Sequence, residues 1–259
     1  MQRGFTLVEL SIVLVIVGLL MGGVLVGRDL VRKAQLRTVL TDLEEVQSAT
    51  RLFSEQYNAL PGDIPNATDY WPSAGGDGMV SGTCASAASN DTATCNGNGD
   101  RRIAYRPGAS NFTEEHMFWQ HLTNAGLMEG YYTGKAGPGS IWDSIPGKNV
   151  PEGALRDSGM GMTNRPAGSV HANWYMTTHG NFLEYGGKVA DSISRNILFT
   201  PREQLSFEEK VDDGYPGLGK MHSFTSNFRP NCVTAGNEHV AEYRKDVSDV
   251  ACSIMWIME

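Results

Sequence analysis

From Phe5 to Gly27 the chain carries a single ionisable side chain, Glu9, in an otherwise apolar run. About 20 apolar residues suffice to carry a helix across a bilayer, so this run predicts a membrane span. Beyond it the pattern changes. Leu36, Val39, Leu43, Val46, Thr50, Phe53 and Tyr57 recur at intervals of three and four, with Asp42, Glu44, Glu45, Arg51 and Glu55 between them. That spacing predicts an amphipathic helix. No proline separates the two stretches, and Leu60-Pro61-Gly62-Asp63 supplies the first breakers. The expectation is one continuous helix over residues 5–58, about 80 Å long. Its first part (5–27) faces lipid, and its second leans on a folded head formed by residues 59–259.

Patterning in the head is weaker. Tyr57 to Pro72 and Gly75 to Cys84 read as loop, with Tyr70 and Trp71 as anchors. Asn111, with Glu114 three residues on, predicts a cap for a helix running to Ala125 and ending at Gly126, its buried face made by Phe112, Phe118, Trp119 and Leu122. Thr200-Pro201-Arg202-Glu203 is a capping box with proline at the first helical position, and Gly214 stands where a terminating glycine belongs. Strands are expected over Val170–Thr177, Asn181–Tyr185 and Val250–Ile257, the first two joined as a hairpin through His179-Gly180-Asn181. A long helix followed by an antiparallel sheet makes an α+β fold.

The tract Gly4-Phe5-Thr6-Leu7-Val8-Glu9-Leu10 resembles the cleavage and methylation motif of type IV prepilins and of the pseudopilins of type II secretion. The resemblance covers residues 1 to about 30: a very short charged leader, the G-F-T-L-x-E core and an unbroken apolar helix. It implies that residues 1–4 are a leader, that a prepilin peptidase cuts between Gly4 and Phe5, and that the new amino group of Phe5 is methylated. It further implies a pilin-like fold, insertion in the inner membrane with a periplasmic head, and assembly with other pilin or pseudopilin subunits into a filament. Glu9 then becomes the fifth residue of the mature chain and engages the N-terminal amine of a neighbouring subunit. Physical chemistry supports a role for it independently, because an unpaired carboxylate in an apolar helix costs several kcal/mol. Gly18 with Gly22, and Gly23 with Gly27, have the G-x-x-x-G spacing that lets helices approach closely in lipid. Many pilins carry a helix-breaking proline near the position of Val26; this chain does not. Trp119 to Tyr132 and Val211 to Met221 are also similar to segments of large pilin-like proteins, and the size of the head suggests a minor subunit.

Charge sharpens this picture. The net charge of −8 lies wholly in residues 60–259, since acids and bases balance before Leu60. An acidic head argues against a nucleic-acid groove, which needs a basic face. Four cysteines permit three pairings. The local one, Cys84 with Cys95 and Cys232 with Cys252, is the expectation and requires an oxidising compartment. Against it stands the cluster Arg28, Arg32, Lys33 and Arg37 just after the span, which by the positive-inside rule alone would keep the head in the cytoplasm.

Little else advertises chemistry. Asn96, Asn98 and Asp100 alternate as in oxygen-rich calcium loops, but Arg101 occupies the glycine position of an EF-hand and Pro107 the place of its final glutamate. Calcium therefore stays one reading and a polar turn the other, with Asp77, Asp212 and Asp213 as further oxygen donors. His116 and His121 are five apart and do not share one helix face. No G-x-S-x-G elbow is present, and Gly97 and Gly99 open no phosphate loop. Nothing compels an enzyme, and no cofactor is required. A different function class remains, a tethered binding module displaying Trp71, Trp142 or Trp174 to a surface, sugar or cargo.

Overall fold

The computed structural model describes residues 6–75, 92–104, 112–166 and 172–258. Helix α1 runs unbroken over Leu7–Tyr57, 51 residues, and ends at Asn58, which takes the left-handed conformation that releases a helix terminus. The amphipathic stripe read from the sequence is the face it buries: Val39, Leu43, Val46, Thr50 and Phe53 are buried, with Leu36 and Tyr57 half-buried beside them. Among the described residues two shorter α-helices follow, α2 over Glu114–Asn124 and α3 over Pro201–Val211.

Among the described residues four strands form one antiparallel sheet in the order β1-β2-β4-β3, where β1 is Ser158–Arg165, β2 Gly180–Gly187, β3 Met221–His222 and β4 Ile254–Ile257. The register divides the side chains between two faces. Met160 and Met162 of β1 stand opposite Tyr185 and Leu183 of β2, which stand opposite Ile254 and Trp256 of β4. These six share the main core with the buried stripe of α1. The alternate positions, Phe182 and Met255, build a second, smaller cluster with Phe224 on the other side of the sheet. The layout is thus α+β: a long helix laid on an antiparallel sheet, with half of that helix projecting from the head.

Three expectations change. The capping position of α2 is Thr113, whose hydroxyl accepts from the His116 amide; Phe112 lies in an extended bridge with Lys135 and is buried there. Asn111, the expected cap, lies outside the described residues. Of the predicted strand at 170–177, residues 172–177 are turns, and Tyr175 is buried without joining the sheet. The partner of β2 is instead β1, a Gly-Met-Gly-Met segment whose glycines hide its strand character. Gly161 is required there, because a Cβ on it would lie 2.1 Å from the Ile193 side chain. The strand predicted over 250–257 forms its ladder at 254–257, while Cys252 bridges Phe199.

Candidate functional site

The chemistry of the N-terminal segment begins at Thr6, since Gly4 and Phe5 lie outside the described residues. Thr6 caps α1. Its backbone N–H and its hydroxyl both donate to Glu9 Oε2, each at 2.8 Å, and the Glu9 N–H donates back to Thr6 Oγ1 at 3.2 Å. This is a complete capping box, placed where the helix dipole favours a negative charge. Glu9 therefore has a local partner that the reading from sequence missed, although Thr-x-x-Glu is itself the signal for it. Oε1 of the same carboxylate accepts no hydrogen bond from the described residues, and the side chain is exposed.

Downstream of this box the helix is long and apolar enough to cross a membrane: its most apolar window has a mean hydropathy of 2.7, and none of that window is buried. Gly18, Gly22, Gly23 and Gly27 lie on this part of α1, and a Cβ added at any of them would meet nothing within 4 Å. The surface around them is open to a second helix.

Where the head meets this helix, Arg32 makes a bidentate ion pair with Glu203, Nε to Oε1 at 2.8 Å and Nη2 to Oε2 at 2.9 Å, and donates also to the Leu198 carbonyl at 2.8 Å. Glu203 completes the capping box of α3 through Thr200, the box legible in the sequence. One of the cations that follow the apolar run is thus committed to holding the base of the head.

The oxygen-rich turn at Asn98 and Asp100 is drawn into a cluster that sequence spacing did not reveal. Asp63, Asp100 and Glu114 each bring a carboxylate oxygen within 4.8 Å of the others. Asp63 accepts from the backbone N–H groups of Gly99 (2.7 Å), Asp100 (3.2 Å) and Arg101 (2.7 Å), and Glu114 accepts from the Asn98 side chain at 2.7 Å. Asn96 points elsewhere and accepts from the Thr68 amide. Gly62 brings α2 against this loop: it sits at φ +82°, and a Cβ there would lie 2.3 Å from the Glu114 carbonyl oxygen. The second acidic group is Glu208, Asp212 and Asp213, in which Asp212 caps α3 and accepts from the Met221 amide at 2.6 Å. Asp77 lies outside the described residues.

His116, His121 and His222 are buried in the head. His121 Nδ1 accepts from the Gly62 N–H at 2.9 Å, so its proton sits on Nε2 and donates to Thr94 Oγ1 at 2.8 Å; the ring stacks on Trp71 at 5.2 Å. His116 turns back onto Thr113 at 2.7 Å. Cys232 and Cys252 are joined in a disulfide with Cα atoms 5.1 Å apart, both fully buried. The pairing expected of Cys95 involves Cys84, which lies outside the described residues.

Burial shifts these groups in opposite senses. It pushes Glu114 and Glu115 up to about 8 and Glu208 up to about 9, and it pulls His116 and His222 down to about 4 and His121 down to about 3. Between about pH 4 and 6.5 the unfolded chain holds more histidine protons than the folded one, which makes stability rise with pH. From about pH 4.5 up to 8 or 9 the folded chain keeps carboxyl protons that the unfolded chain has lost, which makes it fall. Stability is therefore expected to be greatest near pH 5 to 6.5. It should drop on the alkaline side at up to about 1.4 kcal/mol per pH unit for each carboxyl that stays protonated. Denaturant unfolding of the chain at a series of pH values checks this, and a midpoint that rises from pH 6.5 to 9 contradicts it.

The first 25 residues match the family model of the prokaryotic N-terminal methylation motif. No curated protein and no solved structure matches the chain.

Proposed function

We propose, from the premise that residues 1–25 carry the N-terminal methylation motif of the type IV prepilin and pseudopilin family, that this chain is a filament subunit whose work is self-association. Prepilin peptidase removes residues 1–4 and methylates Phe5. The helix holds the chain in the inner membrane with its head in the periplasm, and subunits then assemble through that helix into a type IV pilus or a type II secretion pseudopilus. The observation that carries this reading is the conjunction of the motif with a helix whose first half is apolar and wholly exposed while its second half is built into a core. Side chains so placed need lipid or other helices around them.

The Cys232–Cys252 bridge supports a head on the oxidising side of the membrane. Arg32, engaged with Glu203 and Leu198, weakens the opposing argument from positive charge, because that cation has a structural use in the folded head. The size of the head and its loops favour a minor component. Gold-labelled antibodies to the head, applied to sheared filaments, test this: sparse or terminal labelling is expected, uniform labelling contradicts a minor role, and chains found only in the membrane contradict assembly.

A second reading is a binding module displayed on the same anchor. It is favoured by one feature, a cleft of about 440 Å³ between Trp142, Trp174, Glu184 and Arg195, with Trp142 43% exposed at its edge. A purified chain that fails to bind any glycan or cell surface counts against it.

A further inference from the structure

In a chain of net charge −8, one groove on the head is basic. It lies between α1 and α3, has a volume of about 350 Å³, and is bordered by Lys33 and Arg37 from α1 and by Arg202 and Lys210 from α3. Helical spacing explains the arrangement, since Lys33 and Arg37 are four residues apart and share a face of α1. The acid within the groove, Glu203, is already taken by Arg32. Lys33, Arg37 and Lys210 make no ion pair or side-chain hydrogen bond with any described residue, and Arg202 uses only its Nε, on the Lys245 carbonyl. Between the cations the groove is apolar, with Leu36 and Phe207 in its wall.

We infer that this groove holds the headgroup of an anionic phospholipid. Position selects that occupant. The ion pair to Arg32 fixes the first turn of α3 five residues beyond Gly27, about 8 Å past the end of the apolar run. Headgroup layers add about 5 to 8 Å on each side of the hydrocarbon core. Lys33 and Arg37 then stand about 9 and 15 Å past that end, within one or two screening lengths of the headgroup phosphates. A phosphate among the cations, with the carbons of its headgroup alcohol against Leu36 and Phe207 on the side away from the bilayer, satisfies both characters of the groove. An acidic head is repelled by an anionic surface as a whole, so a basic face is the one that turns toward it. The groove would thus fix the height and rotation of the head before a subunit leaves the bilayer, and an assembling neighbour would displace a lipid.

The inference rests on α1 crossing a membrane, and not on filament assembly. The test uses the full chain in nanodiscs made of equal parts phosphatidylcholine and phosphatidylglycerol, released into native mass spectrometry so that retained lipid is counted. Phosphatidylglycerol is expected to be retained at least about tenfold over phosphatidylcholine, since each nearby cation multiplies affinity for an anionic surface about fivefold. The combined variant Lys33→Gln, Arg37→Gln and Lys210→Gln should abolish the preference. It spares the Arg32–Glu203 bond, and an unchanged melting temperature shows that it folds. A control with Lys148→Gln, Arg156→Gln and Lys188→Gln, outside the groove, should keep the preference. Equal retention of both lipids, or a preference that survives the groove variant, overturns the inference while leaving the span intact. Retention lost equally in the control variant overturns it as well, since net charge and not the groove would then be responsible. A chain that fails to enter the nanodisc overturns the span and the groove together.

Discussion

Glu9→Gln is expected to leave membrane insertion, peptidase cleavage and the start of α1 near normal while reducing incorporation into filaments by about two orders of magnitude or more. The capping role that the structure shows and the assembly role proposed above ask different things of one carboxylate. As the fourth residue of Thr6-Leu7-Val8-Glu9 it closes a capping box, a task that glutamine performs as well, because the backbone N–H and hydroxyl of Thr6 need only an acceptor. As a charge it offers Oε1 to a cation, and the amine that cleavage creates on Phe5 of a neighbour is the cation proposed. Losing a charge-assisted pair in a low-dielectric surround leaves the amine buried and unpaired, at a cost of about 3 to 5 kcal/mol. The matched control is Thr6→Ala, which removes the box and keeps the charge. A lost cap costs about 1 kcal/mol of helix stability, so this variant should assemble nearly as the parent does. Assembly measured by shearing and quantifying filaments decides between the roles. Normal assembly of Glu9→Gln beside a loss in Thr6→Ala would mean that Glu9 acts only by starting the helix.

The paired change Cys232→Ala and Cys252→Ala is expected to lower stability by about 3 kcal/mol, the chain-entropy value for closing a loop of this size. In a chain of this length that is a fall of about 6 to 12 °C in melting temperature. The bridge spans 20 residues and ties the excursion that carries Tyr243 to the approach of β4. Cys252 also pairs through its backbone with Phe199, just before α3, accepting from the Leu198 N–H at 2.8 Å and donating to the Phe199 carbonyl at 2.9 Å. Releasing the bridge therefore loosens the C-terminal strand and the base of α3 together. The change of both cysteines leaves Cys84 and Cys95, which a reducing agent would also reach, as they are. Thermal unfolding of the purified variant measures the effect, and an unchanged midpoint would show the bridge to be incidental to stability.

Where the sequence was legible, a local rule coincided with the tertiary outcome. The face of α1 over Leu36–Tyr57 follows from period alone, because a helix that leans on a core must bury one stripe. The α3 cap follows from Thr200-Pro201-Arg202-Glu203, where propensity and hydrogen bonding agree. The errors share a cause, in that a distant contact decided a local choice. Asn111 is a plausible cap by residue type, yet Phe112 is held in a bridge with Lys135 and the helix starts two residues later, capped by Thr113. β1 contains glycines that propensity assigns to loops, and they are there because Ile193 closes over Gly161 and Pro146 over Gly159. Trp174 and Tyr175 resemble a strand in composition, yet they lie in a turn segment, with Trp174 packed on the cluster of Phe182, Phe224 and Met255. The site divides in the same way. Glu9 stands out by its solvent and the four glycines by their spacing. Asp63 and Glu114 join Asp100 only through the fold, at separations of 37 and 14 residues along the chain.

The central claim is that this chain is processed as a prepilin. Its most direct test is the mass of the N-terminal peptide after co-expression with a prepilin peptidase. The expected peptide begins at Phe5, lacks Met1 to Gly4 and carries one added methyl group on its amine. A peptide that still begins at Met1, from chains inserted in the same membrane as an active peptidase, would contradict the account.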